Sequence, residues 1–119
     1  MQLSWWILVL VGLGIGAGAS FSGLGGGFLI VPLLLWFGFS SPNAVGTSFT
    51  AIFIIALSSI VAHYRLGNVD LKVGLLIGLG GIVGAQLGAQ FVTQVSAESF
   101  RKIFAVILAL LSIYLFVKK

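Results

Sequence analysis

Four apolar runs constrain this chain more than anything else in it: Leu3 to Ala19, Ala44 to His63, Leu71 to Val92 and Ile103 to Val117. Each approaches the roughly 20 residues that a helix needs to cross a hydrocarbon core. Only 7% of the residues are charged, against about 25% in soluble domains, too few to cover a water-facing surface. Lipid supplies no hydrogen bonds, so a spanning chain must satisfy its backbone internally, and runs of this length do so as helices. The expected fold is all-α: a polytopic transmembrane bundle of four to five segments. It forms a single membrane domain over residues 1–119, multi-pass in the cell membrane.

One stretch disobeys this rule. Between the first run and the next lies Ser20-Phe21-Ser22-Gly23-Leu24-Gly25-Gly26-Gly27-Phe28-Leu29-Ile30-Val31-Pro32, with four glycines in the five residues from Gly23 to Gly27. Glycine at that density cannot continue a helix without cost. Broken backbone at membrane depth persists only where protein or a water-lined cavity satisfies it. A new helix is expected to begin at Gly27 or Phe28. Its first N–H groups lack intrahelical partners and carry partial positive charge, which together suit an anion. Ser22, Gly25, Gly26 and Gly27 are the first candidate substrate contacts. The apolar piece that follows, Phe28 to Phe39, contains Pro32 and is too short to span alone. It either continues a long broken helix or returns as half of a hairpin.

Further along, Ser40-Ser41-Pro42-Asn43 reads as a turn, followed by Ala44-Val45-Gly46-Thr47-Ser48 at the start of the next span. Hydroxyls at membrane depth can replace the lost hydration of an ion, though they also bond to their own helix. Thr47 and Ser48 therefore join the candidate substrate contacts. His63 is the lone histidine, at a span end, and the loop beyond it holds Asn68 and Asp70. These three are candidates for gating or proton linkage, with Asp70 also placed to pair with Arg65 or Lys72. Small-residue repeats at Gly12/Gly16, Gly14/Gly18, Gly74/Gly78 and Gly80/Gly84/Gly88 are expected to admit close helix neighbours. Gln86 and Gln90, one turn apart, read as links between helices. Ser96 or Ser99 is expected to start the last helix, which ends at the headgroup anchor Lys118-Lys119.

Several function classes drop out. With no cysteine in the chain there is no thiolate chemistry. No paired carboxylates, activated nucleophile or metal-ligand cluster supports an enzyme, and no cofactor is expected. Gly12, Gly14 and Ala17 imitate a dinucleotide fingerprint, but the first acidic residue is Asp70, far beyond the spacing that motif needs. The net charge of +4 resides in loops and at the end of the chain, which suits lipid headgroups and topology instead of nucleic acid. Ala17-Gly18-Ala19 has the form of a cleavage site, yet Met1-Gln2-Leu3-Ser4 offers no basic leader, so the first run is expected to be retained. Arg65 and Lys72 fall on one side with Lys118-Lys119, and Arg101 and Lys102 on the other, a weak orientation bias.

Taken jointly, Gly23-x-Gly25-Gly26-Gly27-x-x-x-x-Pro32-Leu33, Ala44-Val45-Gly46-Thr47-Ser48, His63, Gly67-Asn68-Val69-Asp70 and Gly84-Ala85-x-x-Gly88-Ala89 resemble the sulfite exporter TauE/SafE family. Arg101-x-x-Phe104-Ala105 and Tyr114-Leu115 extend the resemblance. It implies a transporter, an exporter by preference, of small sulfur-containing anions such as sulfite or organosulfonates. Members of that family carry the pattern twice, and this sequence carries it once, as one repeat of a two-repeat transporter. The resemblance therefore implies a homodimer, with a parallel arrangement favoured because the family's halves resemble each other in charge placement, and an anion site near its axis. An anion channel, a non-transporting helical subunit and a small exporter of lipophilic cations are the competing readings. The last wants an acidic residue within a span, and this sequence has none.

Overall fold

The computed structural model describes residues 4–118 and contains five helices: α1 (Trp5–Ser22), α2 (Gly27–Trp36), α3 (Ser41–Arg65), α4 (Leu71–Gln94) and α5 (Ala97–Val117). Four of these, α1, α3, α4 and α5, are long and apolar enough to cross a membrane. At ten residues, α2 is about 15 Å long, half of a hydrocarbon core. The all-α polytopic bundle and the glycine break after its first helix are as the sequence implies. Leu3 and Lys119, at the two ends of the expected spans, lie outside the described residues.

The break works through three glycines in the left-handed region: Gly23 at φ 77°, Gly25 at 78° and Gly26 at 87°. Gly23 ends α1 and donates its N–H to the Ala19 carbonyl at 2.8 Å. Gly26 then opens α2 at the N-cap position, its carbonyl accepting from Leu29 and Ile30. Between them the chain folds back. A Cβ at Gly26 would stand 3.1 Å from Ile15 and 3.5 Å from Ala19, and one at Gly18 would meet Leu29. Residues 23–40 thus form the returning half of a hairpin, and the continuous broken helix is excluded. Pro32 lies inside α2, where it deprives the Phe28 carbonyl of its helical donor.

The small core sits where α2 meets the first half of α3. Ile30, Val31, Leu34 and Ala44 are buried there, with Ile15 of α1 and Phe100 and Phe104 of α5 packed around them. In lipid the contact gains no hydrophobic driving force, so close packing must hold it. Ala44 is fully buried and Ser48 nearly so, one helical turn apart on the face towards α2.

Helix starts correct two sequence expectations and decide a third. Ser40 to Asn43 is no free turn: Ser40 caps α3 by accepting from the Asn43 N–H at 3.4 Å, and Pro42 occupies the first turn, where its missing N–H costs nothing. Asp70 forms no ion pair with Arg65 or Lys72. Its carboxylate caps α4, accepting from the Val73 N–H at 3.0 Å. The ion pair among the described residues is Glu98–Lys102, exposed at 3.1 Å and therefore of little energetic weight. Ser96 starts α5, accepting from Ser99 N–H at 3.1 Å.

The glycine repeats do not pack as expected within this chain. A Cβ at Gly12, Gly14, Gly16, Gly74, Gly78, Gly80, Gly84 or Gly88 would meet nothing within 4 Å, and neither α4 nor α5 has a buried residue.

Two substitutions separate the backbone role of the break from its packing role. Gly23→Ala adds only the left-handed penalty, about 1–2 kcal/mol, because the space beside it is open. Gly26→Ala adds that penalty and a contact with Ile15 at 3.1 Å, for a total of about 2–4 kcal/mol. Denaturant unfolding in detergent is expected to rank Gly26→Ala as the more damaging; equal effects would contradict this packing.

Candidate functional site

The break borders a cleft of about 530 Å³. Gly25, Gly27 and Phe28 form one side, with Ser48 and Ile52 of α3 opposite. Gly88 of α4 and Phe100 and Phe104 of α5 close the rest. Its depth follows from α3. Cβ atoms at Gly25 and Gly27 would stand 3.5 and 3.2 Å from the Ile52 side chain, and Ile52 lies near the midpoint of the 25-residue α3. The break therefore hangs about halfway across the bundle.

Hydrogen-bond accounting gives the site its electrical character. Leu24 N–H donates to the Ser22 hydroxyl at 3.3 Å, and Leu29 and Ile30 donate to Gly26. The N–H groups of Gly25, Gly26, Gly27 and Phe28 have no acceptor among the described residues. These are the orphan donors of a helix start with the positive end of its dipole. No described residue lining the cleft is ionisable, so backbone dipoles, this cluster of donors among them, set its electrostatic bias.

The structure separates the six candidate contacts. Gly25, Gly27 and Ser48 line the cleft. Ser22 is exposed at the end of α1 and closes the local turn onto Leu24. Gly26 is buried against α1, and Thr47 is exposed on another face of α3. Ser48 is only 1% exposed, and its hydroxyl donates to the Val45 carbonyl of its own helix at 2.7 Å. Its one proton is thus committed, which leaves the backbone as the donor towards the cleft.

The second group of candidates lies elsewhere, at the end of α3. Nε2 of His63 sits 3.0 Å from the Ser20 carbonyl and 3.3 Å from the Ser20 hydroxyl, while Asn68 Nδ2 is 3.3 Å from Nδ1. Asp70 is engaged at the α4 cap and takes no part. Ser20 was unmarked as a partner of His63 because 43 residues separate them and no periodicity connects them. The aromatic wall from Phe100 and Phe104, whose rings stack at 5.7 Å, was equally invisible, reading as ordinary span residues.

Four apolar spans and a half-length returning helix, with an uncharged cleft at its start, define a multi-pass membrane protein. Over residues 5–119 the chain matches the family described as sulfite exporter TauE/SafE, and it belongs to that family. It is 36% identical to the probable membrane transporter protein YunE of Bacillus subtilis, covering 98% of this chain and 45% of YunE. YdhB of the same organism, also a probable membrane transporter protein, is 36% identical over 94% of this chain and 46% of its own length. The probable membrane transporter protein MJ0441 of Methanocaldococcus jannaschii is 32% identical over 92% of this chain and 43% of itself. The chain thus spans about half the length of these curated relatives. No solved structure matches it.

Proposed function

We propose that this chain is one half-unit of a cell-membrane transporter that exports small sulfur-containing anions, such as sulfite or organosulfonates. The anion is held at the start of α2 by backbone N–H groups from Gly25 to Phe28. The observation that carries this reading is the set of four acceptor-less N–H groups beside an uncharged cleft at mid-depth. Positive helix ends at the midplane are how discontinuous helices address anionic groups in other transporters. Partial charges also suit turnover. A fixed lysine or arginine in a low-dielectric cleft would hold a dianion far more tightly than dipoles do, which impedes release.

One break is a meagre host for a dianion. Each of its oxygens must replace hydration, and four donors with Ser48 already engaged leave that incomplete. A second unit supplies a second break. We infer that this second unit is another copy of the chain, paired as a homodimer across the open faces of α4 and α5. The helix directions favour one sense of pairing. His63 bonds Ser20, so α1 and α3 end on the same side, while α4 and α5 reverse in turn. The start of α1 and the end of α5 therefore face opposite sides, so a second repeat continuing the chain from α5 would be inverted, and a homodimer that reproduces that arrangement is inverted too. We propose the inverted pairing in place of the parallel one. The basic residues oppose this little: Arg65, Lys72 and Lys118 stand at one end and Arg101 and Lys102 at the other.

Sulfite counterflow into proteoliposomes tests the site. Gly27 has a helical backbone, and a side chain there meets only the flexible end of Ile52. Gly27→Leu should therefore keep the fold, fill the cleft and abolish counterflow while the copies still associate; unaltered counterflow would refute the site. Orientation has its own test, because the native chain lacks cysteine. A single Asn68→Cys variant should be labelled by membrane-impermeant maleimide from both sides of the membrane under inverted pairing. Labelling from one side alone contradicts it.

A further inference from the structure

We propose that His63 is a positioning residue that caps the broken end of α1 from another helix, and so fixes the break against which α2 begins. The inference relies on the anion reading only for what the break binds; the cap itself stands on geometry. In a continuing helix the Leu24 N–H would bond the Ser20 carbonyl. Here Gly23 turns left-handed and Leu24 donates to Ser22 Oγ instead. The Ser20 carbonyl is thus an orphan at a helix C-terminus, where an unpaired acceptor is costly and a donor is favoured. His63 Nε2 lies 3.0 Å from it.

The same hydrogen bonds define the imidazole's tautomer. A carbonyl only accepts, so Nε2 carries the proton. Asn68 Nδ2 stands 3.3 Å from Nδ1, and an amide nitrogen only donates, so Nδ1 is bare. Asn68 is itself held: Gly67 at φ 76° turns the chain back, and the Asn68 N–H donates to the His63 carbonyl at 2.9 Å. A connected path thus runs from the α3–α4 loop through one imidazole to the last turn of α1. It explains why His63, Gly67, Asn68 and a serine before the glycines occur in one chain.

This arrangement differs from a proton shuttle. The imidazolium also donates from Nε2, so the bond to Ser20 survives protonation, with the Asn68 amide turning its oxygen to Nδ1. The titratable surroundings are sparse. α1 and α2 contain no ionisable residue. Tyr64 and Arg65 beside His63 are exposed, Asp70 is bonded to the α4 cap, and Lys72 follows it. Among the described residues no carboxylate lies within ion-pair distance of His63.

Because His63 is the lone histidine, protein labelled with ¹⁵N-histidine and purified without a histidine tag reports on this ring alone. In its neutral form the ring should give the signals of a single tautomer, protonated at Nε2 and bare at Nδ1; the Nδ1–H tautomer, or a mixture of the two neutral tautomers, overturns the cap. Hydrogen exchange supplies the functional contrast. His63→Leu should speed exchange of residues 23–28 by about tenfold, the loss expected of one hydrogen bond. His63→Gln, whose amide nitrogen can donate where Nε2 did, should restore the native rate. Unchanged exchange in His63→Leu overturns the proposal. Should His63→Leu fail to fold, Asn68→Leu is expected to mix the tautomers, and retention of a single tautomer counts against the cap. Sulfite-dependent thermal stabilisation separates the two readings. Faster exchange in His63→Leu, with no stabilisation by sulfite even in the unmodified protein, would leave the cap standing and remove the anion site.

Discussion

Lipid offers no hydrogen bonds, and a helix that stops inside it must find partners for its loose ends within the protein. The structure turns on how that requirement is met at Gly23 to Gly27. On the carbonyl side two ends are answered: Ala19 receives Gly23 N–H, and Ser20 receives His63, while the Phe21 and Ser22 carbonyls have no donor among the described residues. On the amide side they are left open, with the donors from Gly25 to Phe28 facing no acceptor.

The rest of the chain supplies the scaffold for this break. Ile30, Val31, Leu34 and Ala44 clamp α2 to the first half of α3, and Ile15 ties in α1. The His63 contact fixes the far end of α1 against the last turn of α3. α3 is thus the common post on which both arms of the hairpin rest. By contrast, α4 and α5 bring an apolar wall and little buried contact of their own. They leave open the surface across which a second unit would complete both bundle and site.

The fold was largely legible because its signals are long and redundant. Spans announce themselves by run length and lack of charge, and the start of α2 at Gly27 follows from where glycine stops. What misled was local chemistry that depends on partners. Ser40 to Asn43 holds the residues of a turn, yet the same residues make an N-cap with proline in the first turn, and only the following apolar run decides between them. The glycine stripe of α4 reads as a packing face, and within one chain it meets nothing. Of the candidate contacts, Gly25 and Gly27 follow from the break itself. The commitment of Ser48 to Val45 and the burial of Gly26 against Ile15 depend on packing that no spacing encodes. His63 and Ser20 show the limit most plainly: each is unremarkable alone, and they become a pair only when the hairpin closes.

The central claim is that backbone donors at the start of α2 bind the anion. Amide hydrogen exchange, followed residue by residue with and without sulfite in detergent-solubilised protein, addresses it directly. The account predicts that sulfite slows exchange at Gly25, Gly26, Gly27 and Phe28 and leaves α4 and α5 unaffected. Protection that instead gathers around Arg101 and Lys102, or an unchanged rate at the four amides under saturating sulfite, would contradict it.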